Sequence, residues 1–130
     1  MQNDSRDQLT LAFELGMYEL GRSLYPSNTR VLDGLVNTYA ATGRHHESLE
    51  TVRRLIELEP DNPRHYYNRA CSLCRLGLTE DAMMAIERAV EVGFDDFEYM
   101  TKDPDLALLH ELPQFREFHR RAQVQRTRKT

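Results

Sequence analysis

The glycine at position 43 returns at position 77 and brings its surroundings with it. Leu32-x-x-Leu35-Val36-x-x-Tyr39-x-x-x-Gly43 becomes Tyr66-x-x-Arg69-Ala70-x-x-Leu73-x-x-x-Gly77, a shift of 34 residues. Downstream, Ser48 aligns with Ala82, Val52 with Ile86, Leu55 with Ala89 and Leu58 with Val92. A fixed period of this size marks a chain built by stacking one supersecondary unit, because a lone unit cannot bury its own apolar face. The recurrence therefore decides the fold class before any single residue does.

Every long segment has helical periodicity, and none sustains strand alternation. Residues 6–24 carry an apolar stripe at Leu9, Phe13, Met17, Leu20 and Leu24, with a second edge at Leu11, Leu15 and Tyr18. Pro26-Ser27-Asn28 ends that helix and caps the next, over 29–42, which stops at Gly43. A third helix spans 45–58 and closes at Glu59-Pro60-Asp61; Asn62-Pro63 opens a fourth that ends at Gly77. Thr79 is placed to cap a fifth, ended by Gly93. Prolines at 104 and 113 then divide 94–125 into three short helical pieces, with Asp95 or Asp96 and Asp103 as caps.

At 130 residues the chain is one domain's worth. Residues 1–115 hold 11 Lys/Arg against 20 Asp/Glu, whereas 116–130 hold 6 against 1, so an acidic body precedes a basic tail. From Val124 the tail has almost nothing to bury and is expected to be disordered over 126–130. No apolar run approaches membrane-spanning length, and Met1-Gln2-Asn3-Asp4-Ser5 lacks the layout of a secretory signal. Two cysteines three apart on one helix give no disulfide framework. A cytoplasmic, reducing setting is the expectation.

These residues resemble tetratricopeptide repeats. That family's unit favours, in order, a bulky residue, Leu, a small residue, Tyr, Gly, Ala, an apolar residue, Ala and Pro. The first full repeat supplies Leu32, Leu35, Val36, Tyr39, Gly43, Ser48, Val52, Leu55 and Pro60. The second supplies Tyr66, Arg69, Ala70, Leu73, Gly77, Ala82, Ile86, Ala89 and Phe94. The segment from Gly93 to Phe115 resembles the terminal piece that follows such arrays in bacterial proteins. The resemblance implies an all-α, right-handed α-solenoid of helix-turn-helix repeats with about seven or eight helices. Its expected divisions are a single domain over 1–125 (half repeat 6–25, repeats 28–61 and 62–95, helical cap 96–125) and the tail.

The resemblance also implies a non-catalytic protein-interaction module or adaptor that needs no cofactor. The family's concave face is lined by one side of each first helix. Carried over, that face is Arg30, Asp33, Asn37, Ala40 and Ala41, then Arg64, Tyr67, Cys71, Cys74 and Arg75, with Asn68 beside it. Arginines and asparagines suit a carboxylate or peptide amides, and the small residues leave room for a partner backbone. Some members grip chaperone C-terminal carboxylates with a lysine and two asparagines. Asn37 and Asn68 match, but Asp33 stands where the lysine belongs, and its charge opposes such a ligand. Alternatively, Leu11, Leu15 and Tyr18 on the open edge of the first helix make a homodimer, or join the chain to a longer array. A nucleic-acid contact through Arg116, Arg120, Arg121, Arg126, Arg128 and Lys129 is a further alternative, opposed by the acidic body.

Other constellations carry little. Cys71-Ser72-Leu73-Cys74 has metal-type spacing but is half of a zinc site. His45-His46 sits at an inter-helix turn, and His65, His110 and His119 are scattered. No nucleophile–base pairing or phosphate-binding glycine loop appears, so catalysis is not expected.

Overall fold

The computed structural model describes residues 7–129, and local capping chemistry explains where its helices begin. Among the described residues there are eight α-helices, one 3-10 turn and no strand. The chain divides into two units, Met1–Pro60 and Asp61–Thr130.

In the first unit, the Asp7 carboxylate accepts from the Thr10 amide at 2.8 Å and starts α1 (Gln8–Leu24). That bond lowers the Asp7 pKa, since it favours the charged form. Asn28 accepts from the Val31 amide at 3.1 Å to start α2 (Thr29–Ala41). Gly43 takes φ 77°, and the Arg44 amide reaches back to the Tyr39 carbonyl at 2.8 Å, which reverses the chain into α3 (His45–Leu58). The core joins Leu15, Leu32, Leu35, Val36, Tyr39, Val52 and Leu55, with Tyr18, Ile56 and Leu58 at its edge. Buried Ser48 keeps a partner there, its hydroxyl 3.4 Å from the Val36 carbonyl.

The packing of α1 corrects the expected orientation of that helix. Leu11 and Leu15 are buried and Tyr18 packs against the core, so this edge is not open to another chain. Leu9, Phe13, Met17, Leu20 and Leu24 are the exposed residues. The reason lies in α2. Gly34 leaves a notch into which the Tyr18 ring fits, and a Cβ there would stand 2.2 Å from Tyr18 Cε1. Gly34→Val is therefore expected to destabilise the unit by about 1–3 kcal/mol, measured by urea unfolding. Adding Tyr18→Ala should make the two effects clearly non-additive; simple additivity would overturn the steric account.

In the second unit, Asn62 accepts from the Arg64 amide at 3.0 Å and Pro63 occupies the first turn of α4 (Pro63–Arg75). The turn at Gly77 repeats the earlier one: φ is 80°, and the Leu78 amide meets the Leu73 carbonyl at 2.9 Å. Because that bond places Leu78 at the N-cap, Thr79 is the first residue of α5 (Thr79–Val92) rather than its cap. α6 (Phe97–Lys102) starts from Asp96, which accepts from the Tyr99 amide at 3.1 Å. A 3-10 turn (Pro104–Leu106), α7 (Ala107–His110) and α8 (Pro113–Lys129) follow.

These last elements are tied down from inside. Phe97, Met100, Leu106, Leu109 and Phe115 are buried. His110 Nε2 lies 2.9 Å from the Met100 carbonyl and His119 Nε2 lies 2.7 Å from the Phe97 carbonyl, so each ring carries its proton on Nε2. The expected disorder over 126–130 is corrected as far as Lys129, where α8 ends. Arg126 donates to the Asp95 carbonyl at 3.1 Å, which anchors the helix past its last apolar contacts. Thr130 lies outside the described residues.

Candidate partner-binding faces

Helical spacing of three and four puts Arg30, Asp33, Asn37 and Ala40 or Ala41 on one side of α2. Arg30, Asn37, Ala40 and Ala41 are exposed and Asp33 is half-buried. The two alanines present a flat, small surface, while Arg30 and Asn37 supply charged and amide donors above it.

The matching side of α4 has a different fate. Tyr67 is buried: its ring stacks on Phe94 with centroids 4.2 Å apart, and Tyr99 lies 6.4 Å away. The Tyr67 hydroxyl donates to Asp103 Oδ2 at 2.7 Å. Asp103 is itself only 3 % exposed, and its Oδ1 accepts from the Asp105 amide at 2.9 Å. Cys71 Sγ lies 3.8 Å from the same Asp103 Oδ2. One turn along, Arg75 Nε donates to Asp105 Oδ1 at 2.8 Å. The chain's own segment 94–105 thus covers Tyr67 and Cys71 and pairs with Arg75, which stays exposed. Arg64 stays exposed and Asn68 half-buried, while Cys74 is fully buried and offers no room to a partner backbone.

Asp103 and Asp105 are the residues that sequence reasoning missed. Asp103 was legible as a cap, and it is one through Oδ1. Its second oxygen serves a phenol 36 residues away, which no local pattern reveals. The available signal was an Asp-Pro-Asp segment downstream of a helix face bearing Tyr67 and Arg75.

The electrostatics argue against chemistry at this cluster. Burial, and then the bond to Asp103, pushes the Tyr67 phenol far above its ordinary range. Burial, followed by the neighbouring Asp103 carboxylate, pushes the Cys71 thiol well up, and burial also raises Cys74. A thiol held protonated is a poor nucleophile. Donor atoms of Cys71, Asp103 and Asp105 do lie within 4.8 Å of one another. Both carboxylates, however, already serve Tyr67, Arg75 and a backbone amide, so the trio is accounted for as packing.

The basic residues of α8 are largely engaged within the unit. Arg116 donates to the His110 carbonyl at 3.1 Å, Arg120 pairs with Glu117 at 2.7 Å, and Arg121 lies 3.5 Å from the same carboxylate. Arg126 faces Asp95. No helix among the described residues is long and apolar enough to cross a membrane.

Paired helices closed by left-handed glycines at a 34-residue interval define a helical-repeat protein. Residues 29–62 and residues 52–84 each match a family profile described as tetratricopeptide repeat. Residues 29–84 therefore carry tetratricopeptide repeats. It is also similar to a chloroplastic protein of Arabidopsis thaliana, with 28 % identity over 80 residues. That match covers 59 % of this chain and 24 % of the relative, so the chain spans about a quarter of the length of the curated relative it matches.

Proposed function

We propose that this protein is a non-catalytic interaction module that holds an extended or helical segment of a partner protein on the exposed side of α2. The observation that carries this reading is the contrast between two equivalent faces: Tyr67 and Arg75 of α4 are engaged by residues 94–105, and the α2 face is exposed. Repeats of this family generally mediate protein–protein contacts. Arg30 is suited to a partner carboxylate and Asn37 to a peptide amide, with Asp33 biasing the site against a strongly acidic ligand. Arg64 and Asn68 offer the same donor types on α4. The free thiols Cys71 and Cys74 suit a reducing compartment such as the cytoplasm. The reading treats residues 1–125 as a single domain, whose signature is one cooperative unfolding transition seen by two probes.

The test is quantitative affinity capture from native lysate with wild type beside Arg30→Glu/Asn37→Ala. A prey whose recovery falls at least about ten-fold in the double variant supports the α2 face. Equal recovery of every prey by both proteins overturns it. The nucleic-acid reading is weaker, because Arg116, Arg120, Arg121 and Arg126 already hold internal acceptors.

A further inference from the structure

The exposed row on α1 has a spacing that a single copy does not use. Leu9, Phe13, Met17, Leu20 and Leu24 are each between 50 % and 80 % exposed. Ala12 and Gly16 lie exposed among them, and nothing stands within 4 Å of where a Gly16 Cβ would be. No Asp, Glu, Lys or Arg interrupts the row.

With Gly16 included, the steps from Leu9 to Leu24 read four, three, one, three, four. The pattern is the same from either end, about a point between Gly16 and Met17. At about 100° per residue the whole row falls within roughly 50° of the radius through that point. A two-fold axis perpendicular to both this radius and the helix, set midway between two copies, generates an antiparallel helix pair with every row position matched along its length. Leu9 then meets the second copy's Leu24, each about 11 Å from the axis, and Phe13 meets its Leu20. At the centre Met17 meets the second copy's Met17, and beside them the two Gly16 residues let the helix backbones come close.

We infer that this row is the isologous interface of a homodimer, with α1 packed antiparallel on α1 of a second copy. Spacing symmetric about one point lets every row position meet a mate across a two-fold axis. The area agrees: five large side chains at this exposure present on the order of 600 Å² per copy, and roughly 1,200 Å² removed from both reaches the range of specific interfaces. An uncharged row also brings no like charges together across the axis. This pairing uses the side of α1 opposite to Leu11 and Leu15 and is independent of partner binding at α2.

Light scattering coupled to size-exclusion chromatography on the full chain, from about 1 to 200 µM, is expected to show the mass rising to twice the monomer's. Phe13→Glu/Leu20→Glu should weaken dimerisation at least about ten-fold while circular dichroism is unchanged, since both positions are exposed. Mild oxidation supplies a second readout that does not depend on those substitutions. Met17→Cys, beside the axis, should form a disulfide-linked dimer, whereas Leu9→Cys should not, because its two copies stand about 22 Å apart. Monomer mass at the highest concentration overturns the proposal and leaves the row for a different protein. A dimer indifferent to Phe13→Glu/Leu20→Glu, or equal cross-linking of both cysteine variants, overturns it as well.

Discussion

Phe115→Ala is expected to cost the second unit about 3–5 kcal/mol, more than any surface change considered above. The ring is 2 % exposed and lies between His110 and His119, at centroid distances of 5.7 and 6.1 Å. Those two histidines donate to carbonyls of α6, so the ring fixes α6, α7 and α8 to one another. Removing it leaves a cavity and frees both imidazoles together. Hydrogen exchange should show protection lost first in α6–α8, with α4 and α5 opening at higher free energy. Phe115→Leu, which fills most of the volume, should fall between wild type and alanine. Uniform loss of protection across the second unit would refute the account of a separately opening terminal segment.

The second large effect concerns Asp103. Asp103→Ala removes one buried carboxylate that accepts from the Tyr67 hydroxyl, the Cys71 thiol and the Asp105 amide. Leaving such donors unsatisfied costs about 2–4 kcal/mol in all. Asp103→Asn keeps the shape and one acceptor oxygen, so it should lose less. Tyr67→Phe, made in the wild type and in Asp103→Ala, separates the phenol's share by a double-mutant cycle. Urea midpoints with unchanged slope are the measurement. A coupling energy near zero between positions 67 and 103 would contradict the hydrogen-bond account, whatever the single losses are.

Legibility from sequence followed the range of the interactions. Asn28, Asn62 and Asp96 act on amides two or three residues away, so their capping roles could be read directly. The turns at Gly43 and Gly77 depend on a positive φ that glycine adopts at little cost, and they too were legible. Thr79 shows the limit: a threonine before a helix suggests a cap, but the backbone bond from Leu78 to Leu73 moves the boundary one residue earlier. Helix α1 offers two apolar rows, and the longer one has more apolar surface to bury. Which row packs is decided by the notch at Gly34, on another helix, so counting residues on α1 points to the wrong side. Periodicity groups Tyr67, Cys71 and Arg75 on one side of α4, yet their engagement by 94–105 depends on contacts spanning about thirty residues. Periodicity locates a face; it does not say whether the chain keeps that face for itself.

That occupation has a kinetic consequence. A ligand seeking Tyr67 has to wait until the stacked Phe94 and the Asp103 carboxylate lift away. Its observed association rate would level off with ligand concentration at the rate of that opening, whereas a ligand on α2 would bind with a rate that keeps rising in proportion. One short chain therefore presents two related helix faces with different clocks, one set by diffusion and the other by how often its own terminal segment lets go.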